Sequence, residues 1–444
     1  MTGKSKPELK RTLGLFQVIL YGVGLILGAG IYVIIGDVSA IAGNAMWISF
    51  LLAALIAALT GLSYAELASM FPKSAAEYMY VKHAFNRNFI AIFVGCLTIF
   101  VAITSAATVA IGFSAYMSIF LPHSYPVLSS VILVTVLSAV NLYGIRESIW
   151  TNSIFTFIEI LGLVIIAVAG VLLSNETNLN LLEFPSVVEP TLGSVFFAIL
   201  TSTALVFFAY YGFENIANLS EETRNPTRTI PKGLVVSIII TSILYIVVAV
   251  SSISVVGWKE LSASEAPLAV VASRAFGNQG ILLLSIIALF ATTNTVLMML
   301  VSGSRIVFGM ARDRSFPSVF GSVHTVRRTP WVASLVVMIL VIAAIVLTSG
   351  NIIIVASLSV FGIFIVFAFV NLSVIWLRFK QPDMNRAFKS PFRIRGFPVL
   401  AGLGLLTVTL MIFQFDMAIK LSGLVLITII LLLSIVFSRL RKEP

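Results

Sequence analysis

Runs of about 20 apolar residues, each long enough to cross a hydrocarbon layer roughly 30 Å thick as a helix, recur along the whole chain with only short polar connections between them. Inside lipid the backbone N–H and C=O groups find no water, so each crossing segment must satisfy them itself. The chain is therefore expected to fold as an all-α polytopic membrane protein. Its composition agrees, with 59% apolar and only 10% charged residues among 444, against roughly 25% charged in an ordinary soluble domain. No stretch is large enough for a separate soluble domain.

Segments bounded by Pro, Gly, Asn or charge place twelve spans. The first six lie at about 13–36, 45–70, 89–121, 126–143, 152–174 and 192–218. The second six lie at about 231–257, 277–311, 330–349, 352–377, 396–414 and 417–438. The basic start (Lys4, Lys6, Lys10, Arg11) precedes an apolar run from Leu13 to Ile35, longer than a secretory signal's core of about 7 to 15 residues, and reads as an uncleaved first span. An even number of spans puts both termini on one side. Of 28 Lys and Arg, only Lys259, Arg274 and Lys420 fall in the opposite set of connections. The remaining 25, among them Lys73, Lys82, Arg87, Arg146, Arg328, Arg378, Arg386, Arg441 and Lys442, share the side of the termini. By the positive-inside tendency residues 1–12 and 439–444 are cytoplasmic.

The net charge of +10 thus records orientation, and the absence of a basic helix or aromatic-interleaved patch argues against a nucleic-acid partner. Cys96 stands alone in an apolar run, and His83, His123 and His324 fall in different loops, so neither a disulfide framework nor a cysteine metal site is expected. Between Gly257 and Gly277 the amphipathic second half of the connection points to a short interfacial helix on the outer face.

Two spans carry glycine where a helix would otherwise continue. Span 1 has Gly22, Gly24, Gly28 and Gly30 at its middle, and span 6 has Gly212 followed by Glu214. Each glycine costs a helix interior about 1 kcal/mol relative to alanine. Unwinding at membrane depth is tolerated where the backbone lines a cavity or is covered by protein. Gly24 and Gly28 also form a small-xxx-small packing face, but position favours unwinding. Spans 1 and 6 open two five-span halves that enter from opposite sides, and paired interruptions of this kind point to the midplane binding site of a secondary transporter. A half-helix starting near Gly30 offers free N–H groups and a positive dipole end to a carboxylate, whereas one ending near Gly28 offers carbonyls to an ammonium group. A ligand carrying both groups on adjacent atoms is an α-amino acid.

These residues belong to a wider pattern. G-A-G-I at 28–31, S-Y-A-E-L-A-S-M-F-P-K-S-A-A-E-Y at 63–78, Y-G-F-E at 211–214, E-E-T-R-N-P-T-R-T-I-P at 221–231, S-R-I-V-F-G-M-A-R-D-R-S-F-P at 304–317 and T-P at 329–330 occur in order on the expected spans. With them the chain resembles the amino acid–polyamine–organocation superfamily of permeases along almost its full length. The resemblance implies a five-plus-five inverted-repeat, LeuT-type fold. Residues 13–174 would form the first repeat (spans 1 to 5), 192–380 the second (spans 6 to 10), and 396–438 the peripheral spans 11 and 12. It implies a substrate carboxylate against the backbone of Ala29, Gly30 and Ile31. The amino group would meet carbonyls near Ile26 on span 1 and near Phe208 and Tyr211 on span 6, beside the binding-site breaks at Gly28 and Gly212. Many relatives carry Ser at the position of Ala29, so one hydroxyl contact is missing here. An aromatic lid over the substrate would come from Phe207, Phe208, Tyr210 or Tyr211.

Within the spans, acidic residues are restricted to Glu66, Glu159 and Glu214. Glu66, near the cytoplasmic end of span 2, is expected to pair with loop groups. Glu214 either caps the free N–H groups after the span 6 break or senses substrate or a proton. Glu159 has no charged neighbour within a helical turn, and a charge at such depth costs roughly 2.5 to 3.5 kcal/mol even on a lenient insertion scale. A neutral, protonatable acid is the expected state. Following N-L-Y-G at 141–144, this position looks like the one where several proton-coupled or exchanging relatives carry lysine, near the cation site of sodium-coupled relatives. The departure leaves two couplings open, a proton cycled on Glu159 or a sodium ligated by Glu159 with span 1 carbonyls and Thr292 and Thr293. No other cofactor is implied.

The side-chain pocket is expected from Thr104, Ser105 and Thr108, the span 6 aromatics, Asn294, Ser357 and Phe361, mostly apolar with a few hydroxyls. That favours a neutral amino acid carried by proton symport, with cationic amino acids or polyamines, sodium coupling and amino acid exchange as alternatives. A channel would need a polar ring repeated across helices, and an intramembrane enzyme a clustered nucleophile and base or metal ligands. Neither pattern is present in the spans. An amino-acid-sensing receptor on the same fold is the alternative outside transport.

Overall fold

The computed structural model describes residues 11, 13–73, 76–122, 125–143, 149–173, 180–185, 191–324, 327 and 329–440. Lys4, Lys6, Lys10, Arg146, Arg328, Arg441, Lys442 and His123, read above as loop or terminal residues, lie outside them. So do Ser74, Ala75 and Gly144 of the quoted motifs.

The described chain is a helical bundle. Nine of its helical stretches are long and apolar enough to cross a membrane, and three shorter apolar helices accompany them. In order, α1 (Leu15–Leu27) and α2 (Gly30–Ala42) split the first apolar run, and α3 (Met46–Met70) follows. Then come α4 (Ala76–Phe85), α5 (Asn88–Met117), α6 (Pro126–Tyr143) and α7 (Ile149–Leu173). α8 (Leu192–Tyr210) stops early and gives way to a 3-10 segment, Phe213–Glu221. α9 (Pro226–Ser262), α10 (Pro267–Arg312), α11 (Trp331–Leu347), α12 (Ile352–Lys380), α13 (Val399–Ile412) and α14 (Met417–Leu440) complete the chain.

The 46 residues of α10 would reach about 69 Å if straight, more than twice the hydrocarbon layer. The helix is instead turned at Gly277 (φ 64°), and α9 at Gly257 (φ 69°). Residues 267–276 are thereby set off as the short helix expected in that connection. A two-stranded hairpin, β1 (Arg393–Ile394) with β2 (Phe397–Pro398), sits between α12 and α13, its second strand on residues that the sequence pattern assigned to the start of span 11.

Burial sorts the helices. In the most apolar stretch of α5 78% of residues are buried, against 17% in α14, so α5 is central and α14 presents its leucines outward to lipid. α5 packs on α10 and α12, while α3, α1 and α7 all pack on α9. Glycines admit the closest approaches, as where Gly24 of α1 lies against the Thr156 side chain of α7.

Candidate functional site

The two interrupted helices meet at their interruptions. α1 ends at Leu27, with the Gly28 N–H donating to the Gly24 carbonyl (3.0 Å), and α2 begins at Gly30. A methyl group on Gly30 would stand 2.6 Å from the Ala209 Cα, so only glycine lets the start of α2 touch the end of α8. Gly212 adopts φ 128°, a conformation that disfavours L side chains, and any Cβ there would press within 2.7 Å of the Leu25 carbonyl oxygen. The backbone ends of both half-helices therefore face one small cavity.

That cavity is lined by Leu25, Ile26, Gly28, Ala29, Gly30, Ser105, Val109, Phe208, Ala209, Tyr211, Thr295 and Met299. Its volume, about 10 Å³, is roughly the room of one water. As it stands the cavity has no room for a ligand larger than water. On the N–H side, Ala29 donates to the Thr295 hydroxyl (3.1 Å), which itself donates to the Ala291 carbonyl (2.9 Å). The hydroxyl oxygen of Ser105 is buried without a hydrogen-bond partner.

On the carbonyl side a tyrosine intervenes. The Tyr245 hydroxyl of α9 lies 2.5 Å from the Ile26 carbonyl oxygen, 3.2 Å from that of Leu27 and 3.0 Å from that of Ala209. One hydroxyl proton serves only one of these acceptors at a time, so the cluster has a surplus of acceptors that suits a cation. Gly28 was expected from the glycine pattern and Ile26 from the family resemblance. Tyr245 was missed because no short-range signal marks a tyrosine 219 positions from its acceptor.

The structure divides the other expected residues. Phe208 and Tyr211 line the cavity. Phe207 packs on Phe364 (4.8 Å between centroids) and Phe367, and Tyr210 donates to the Phe50 carbonyl (3.2 Å), so both belong to helix packing. Ser105 lines the cavity, whereas the Thr104 and Thr108 hydroxyls bond back to the Phe100 and Thr104 carbonyls. Thr292 likewise donates to the Ala288 carbonyl (2.7 Å). Ile31, Thr293, Asn294, Ser357 and Phe361 lie outside the lining, and Phe361 packs on Phe415. Thr295, one turn beyond Thr292 on the same helix, is the hydroxyl that reaches the break.

Each intramembrane carboxylate has its own environment. Glu66 accepts from Arg378 Nε (2.7 Å) and Nη2 (2.6 Å) and from the Ser390 N–H (2.9 Å), and Arg386 Nε lies 3.4 Å away. It is a loop-pairing anion, as the sequence pattern implied. Glu214 accepts from the Gly212 N–H (2.9 Å) and from Asn215 Nδ2 (2.8 Å), which caps the turn after the break. Glu159 is 1% exposed, and neither of its carboxyl oxygens has a hydrogen-bond partner of good geometry; the Asn294 side chain is its neighbouring polar group. It sits between Thr156, which touches Gly24, and Gly162, which touches Tyr32, on the α7 face turned to the span 1 break. The Tyr32 hydroxyl donates to its backbone carbonyl (3.0 Å).

On the opposite side from most Lys and Arg, a vestibule of about 680 Å³ opens between α2, α5 and the connection before α10. Asp37 and Glu265 are its charged side chains. Cross-element contacts gather at the other end. Leu13 pairs with Thr223 through the Leu13 N–H to the Glu222 carbonyl (3.1 Å) and the Arg224 N–H to the Leu13 carbonyl (2.9 Å). Lys82 pairs with Asp313 (2.8 Å), which also accepts from Tyr78.

Residues 13–437 match the amino acid permease family. The branched-chain amino acid permease BcaP of Bacillus subtilis is 31% identical, covering 98% of this chain and 94% of the relative. The methylthioribose transporter of the same organism is 28% identical over 88% of this chain and 87% of the relative. The chloroplastic cationic amino acid transporter 9 of Arabidopsis thaliana is 33% identical over 72% of this chain and 58% of the relative.

Proposed function

The chain belongs to the amino acid permease family, and from that premise we propose that it carries neutral, apolar amino acids across the membrane by alternating access, driven by proton symport. Its relatives are named for different substrates, branched-chain and cationic amino acids and a thio-sugar. The cavity chemistry is what favours the first. Its larger side chains are Leu25, Ile26, Val109, Phe208, Tyr211 and Met299 with the hydroxyls of Ser105 and Thr295, and its lining holds no acidic group to pair with a cationic side chain. The observation that carries the reading is the pair of half-helix ends, with the N–H groups after Ala29 facing a carboxylate and the surplus carbonyls of Ile26, Leu27 and Ala209 facing an ammonium.

In this reading α1 and α2 together make the first of twelve spans, the spans form a five-plus-five inverted repeat, and both termini are cytoplasmic. The open vestibule then faces outward and the Leu13–Thr223 and Lys82–Asp313 contacts close the cytoplasmic end. Glu159 carries the coupling proton. Buried without a cation, it is best accommodated neutral, and it stands beside the break that rearranges when substrate binds. At 100 mV one inward charge supplies about 2.3 kcal/mol, enough for roughly fifty-fold accumulation of a neutral substrate.

Uptake of radiolabelled leucine into proteoliposomes, under an imposed pH gradient or an imposed sodium gradient, tests the proposal. Proton-driven accumulation in the wild type that is lost in Glu159→Gln supports it. Sodium-driven accumulation, or proton-driven accumulation unchanged by the substitution, would refute the coupling. Arginine uptake without leucine uptake would refute the substrate class.

A further inference from the structure

A carboxyl that the span pattern passed over lies buried at the closed end. Glu77, in the first turn of α4, is 3% exposed, and Glu214, on the 3-10 segment, is 2% exposed. Tyr64 of α3 stands between them. Its hydroxyl donates to Glu77 Oε1 (3.0 Å), and its ring meets Phe213, the residue before Glu214, at 5.7 Å between centroids. α4 is docked on the same segment by the Ala76 N–H, which donates to Asn218 Oδ1 (3.1 Å). The titratable groups that face this pair are Tyr64 from α3, Tyr80 from α4 and Tyr211 from the end of α8. The other packed elements, α5 and α12, bring none to Glu77. No cation faces Glu77 among the described residues, since Lys82 of the same helix is engaged by Asp313. Burial pushes the Glu77 carboxyl above the usual carboxylate range.

We propose that Glu77 and Glu214 form a proton-binding site distinct from Glu159, which holds one shared proton while the α4 end of the molecule is closed and gives it up when α4 parts from the 3-10 segment. Two carboxylates enclosed without a counter-cation repel each other and pay desolvation twice, and one proton between them removes both penalties. When the junction opens, water reaches the pair, one carboxyl O–H bond breaks, and the proton passes to water, leaving two hydrated carboxylates. The closed state therefore binds one proton more than the open state. Acidification stabilises closure, and each unit rise in pH favours opening by up to about tenfold.

Hydrogen exchange of the full-length protein in nanodiscs tests this without any substrate, so failure of the carrier assignment would leave the result readable. Protection factors for residues 76–85 and 213–221, after division by intrinsic rates, are measured from pH 5.5 to 8.5. The wild type is expected to lose protection with rising pH by up to about tenfold per unit. Glu77→Gln and Glu214→Gln, each isosteric with the protonated acid, are expected to flatten the profile. Tyr64→Phe keeps the ring and removes the donor that favours the ionised Glu77. It is expected to move the fall in protection to higher pH, and it supplies the reading if a Gln variant does not fold. A flat wild-type profile, or wild-type pH dependence in both Gln variants, or no displacement in Tyr64→Phe, would overturn the proposal.

Discussion

Glu66 and Glu159 are the same residue type, both inside apolar helices and both 1% exposed, yet their surroundings are opposite. Glu66 faces two guanidinium groups and a backbone N–H. Glu159 faces a single amide side chain and makes no well-formed hydrogen bond through its carboxyl group. A buried carboxylate is tolerated where its charge is matched, so Glu66 is a fixed anion that ties α3 to the end of α12 and its following loop. A buried carboxyl without a match is tolerated where it takes up a proton, and it stays free to exchange that proton when the surroundings change. Burial alone therefore does not identify a functional acid. The partners do.

Removing the anion from the matched site should have the largest effect. Glu66→Gln leaves the buried Arg378 and Arg386 guanidinium groups without a counter-anion, with only carbonyl acceptors remaining, and unfolding in detergent should show a loss of about 3 to 5 kcal/mol. A loss below 1 kcal/mol would mean that the two arginines find water, and the contrast with Glu159 would collapse. Glu159→Gln comes next, and its effect is on function. Stability should stay within about 1 kcal/mol, because Gln replaces a neutral acid of the same shape, while accumulation driven by 100 mV falls from roughly fifty-fold to none. Tyr245→Phe makes a further unmatched site by leaving the Ile26, Leu27 and Ala209 carbonyls without their donor. The empty protein should lose about 1 to 3 kcal/mol. Saturating leucine should then raise the unfolding temperature more in the variant than in the wild type, as the ammonium supplies the missing donor.

The smallest effect lies outside the membrane. His83 stacks on Phe71 (4.6 Å), and burial, helped by Lys73 and Lys82, holds its imidazole below the usual value. The folded state resists protonating it, so its contribution to stability is present above the unfolded pKa and lost as pH falls through and below about 6.5. His83→Phe should flatten the pH dependence of the unfolding midpoint in that window. If the slope survives in His83→Phe and disappears in Glu159→Gln, the membrane carboxyl and not the histidine dominates stability near neutral pH.

The break in span 1 was legible to within a residue or two, because Gly28 and Gly30 in an apolar run mark a weak helix and the helix ends at Leu27 and resumes at Gly30. The stop in span 6 was legible from Gly212, though the segment after it is a 3-10 stretch, tighter than the half-helix expected. The pairing of Glu66 was legible from its place near the cytoplasmic end of span 2 within a family motif. Which hydroxyl reaches the break was not legible. Thr292, Thr293 and Thr295 crowd one helix, and helix rotation decides that Thr295 meets the Ala29 N–H, 266 positions away. The four span 6 aromatics were equivalent in sequence and are divided by helix rotation, which turns Phe207 to α12 and Tyr210 to α3 and leaves Phe208 and Tyr211 on the cavity.

The amino-acid sequence alone determines that this chain folds as a membrane-embedded helical bundle, because lipid demands apolar runs with internally satisfied backbones, and that two helices are interrupted, because clustered glycine weakens a helix wherever it lies. Both are local properties that a linear pattern carries. Tertiary structure decides which carboxyls are matched, that Tyr245 covers the carbonyl cluster and that Tyr64 reaches Glu77 with its hydroxyl while its ring packs on Phe213 beside Glu214. Those outcomes depend on which helices become neighbours and how each is rotated, and on a partner hundreds of positions distant that no local pattern encodes.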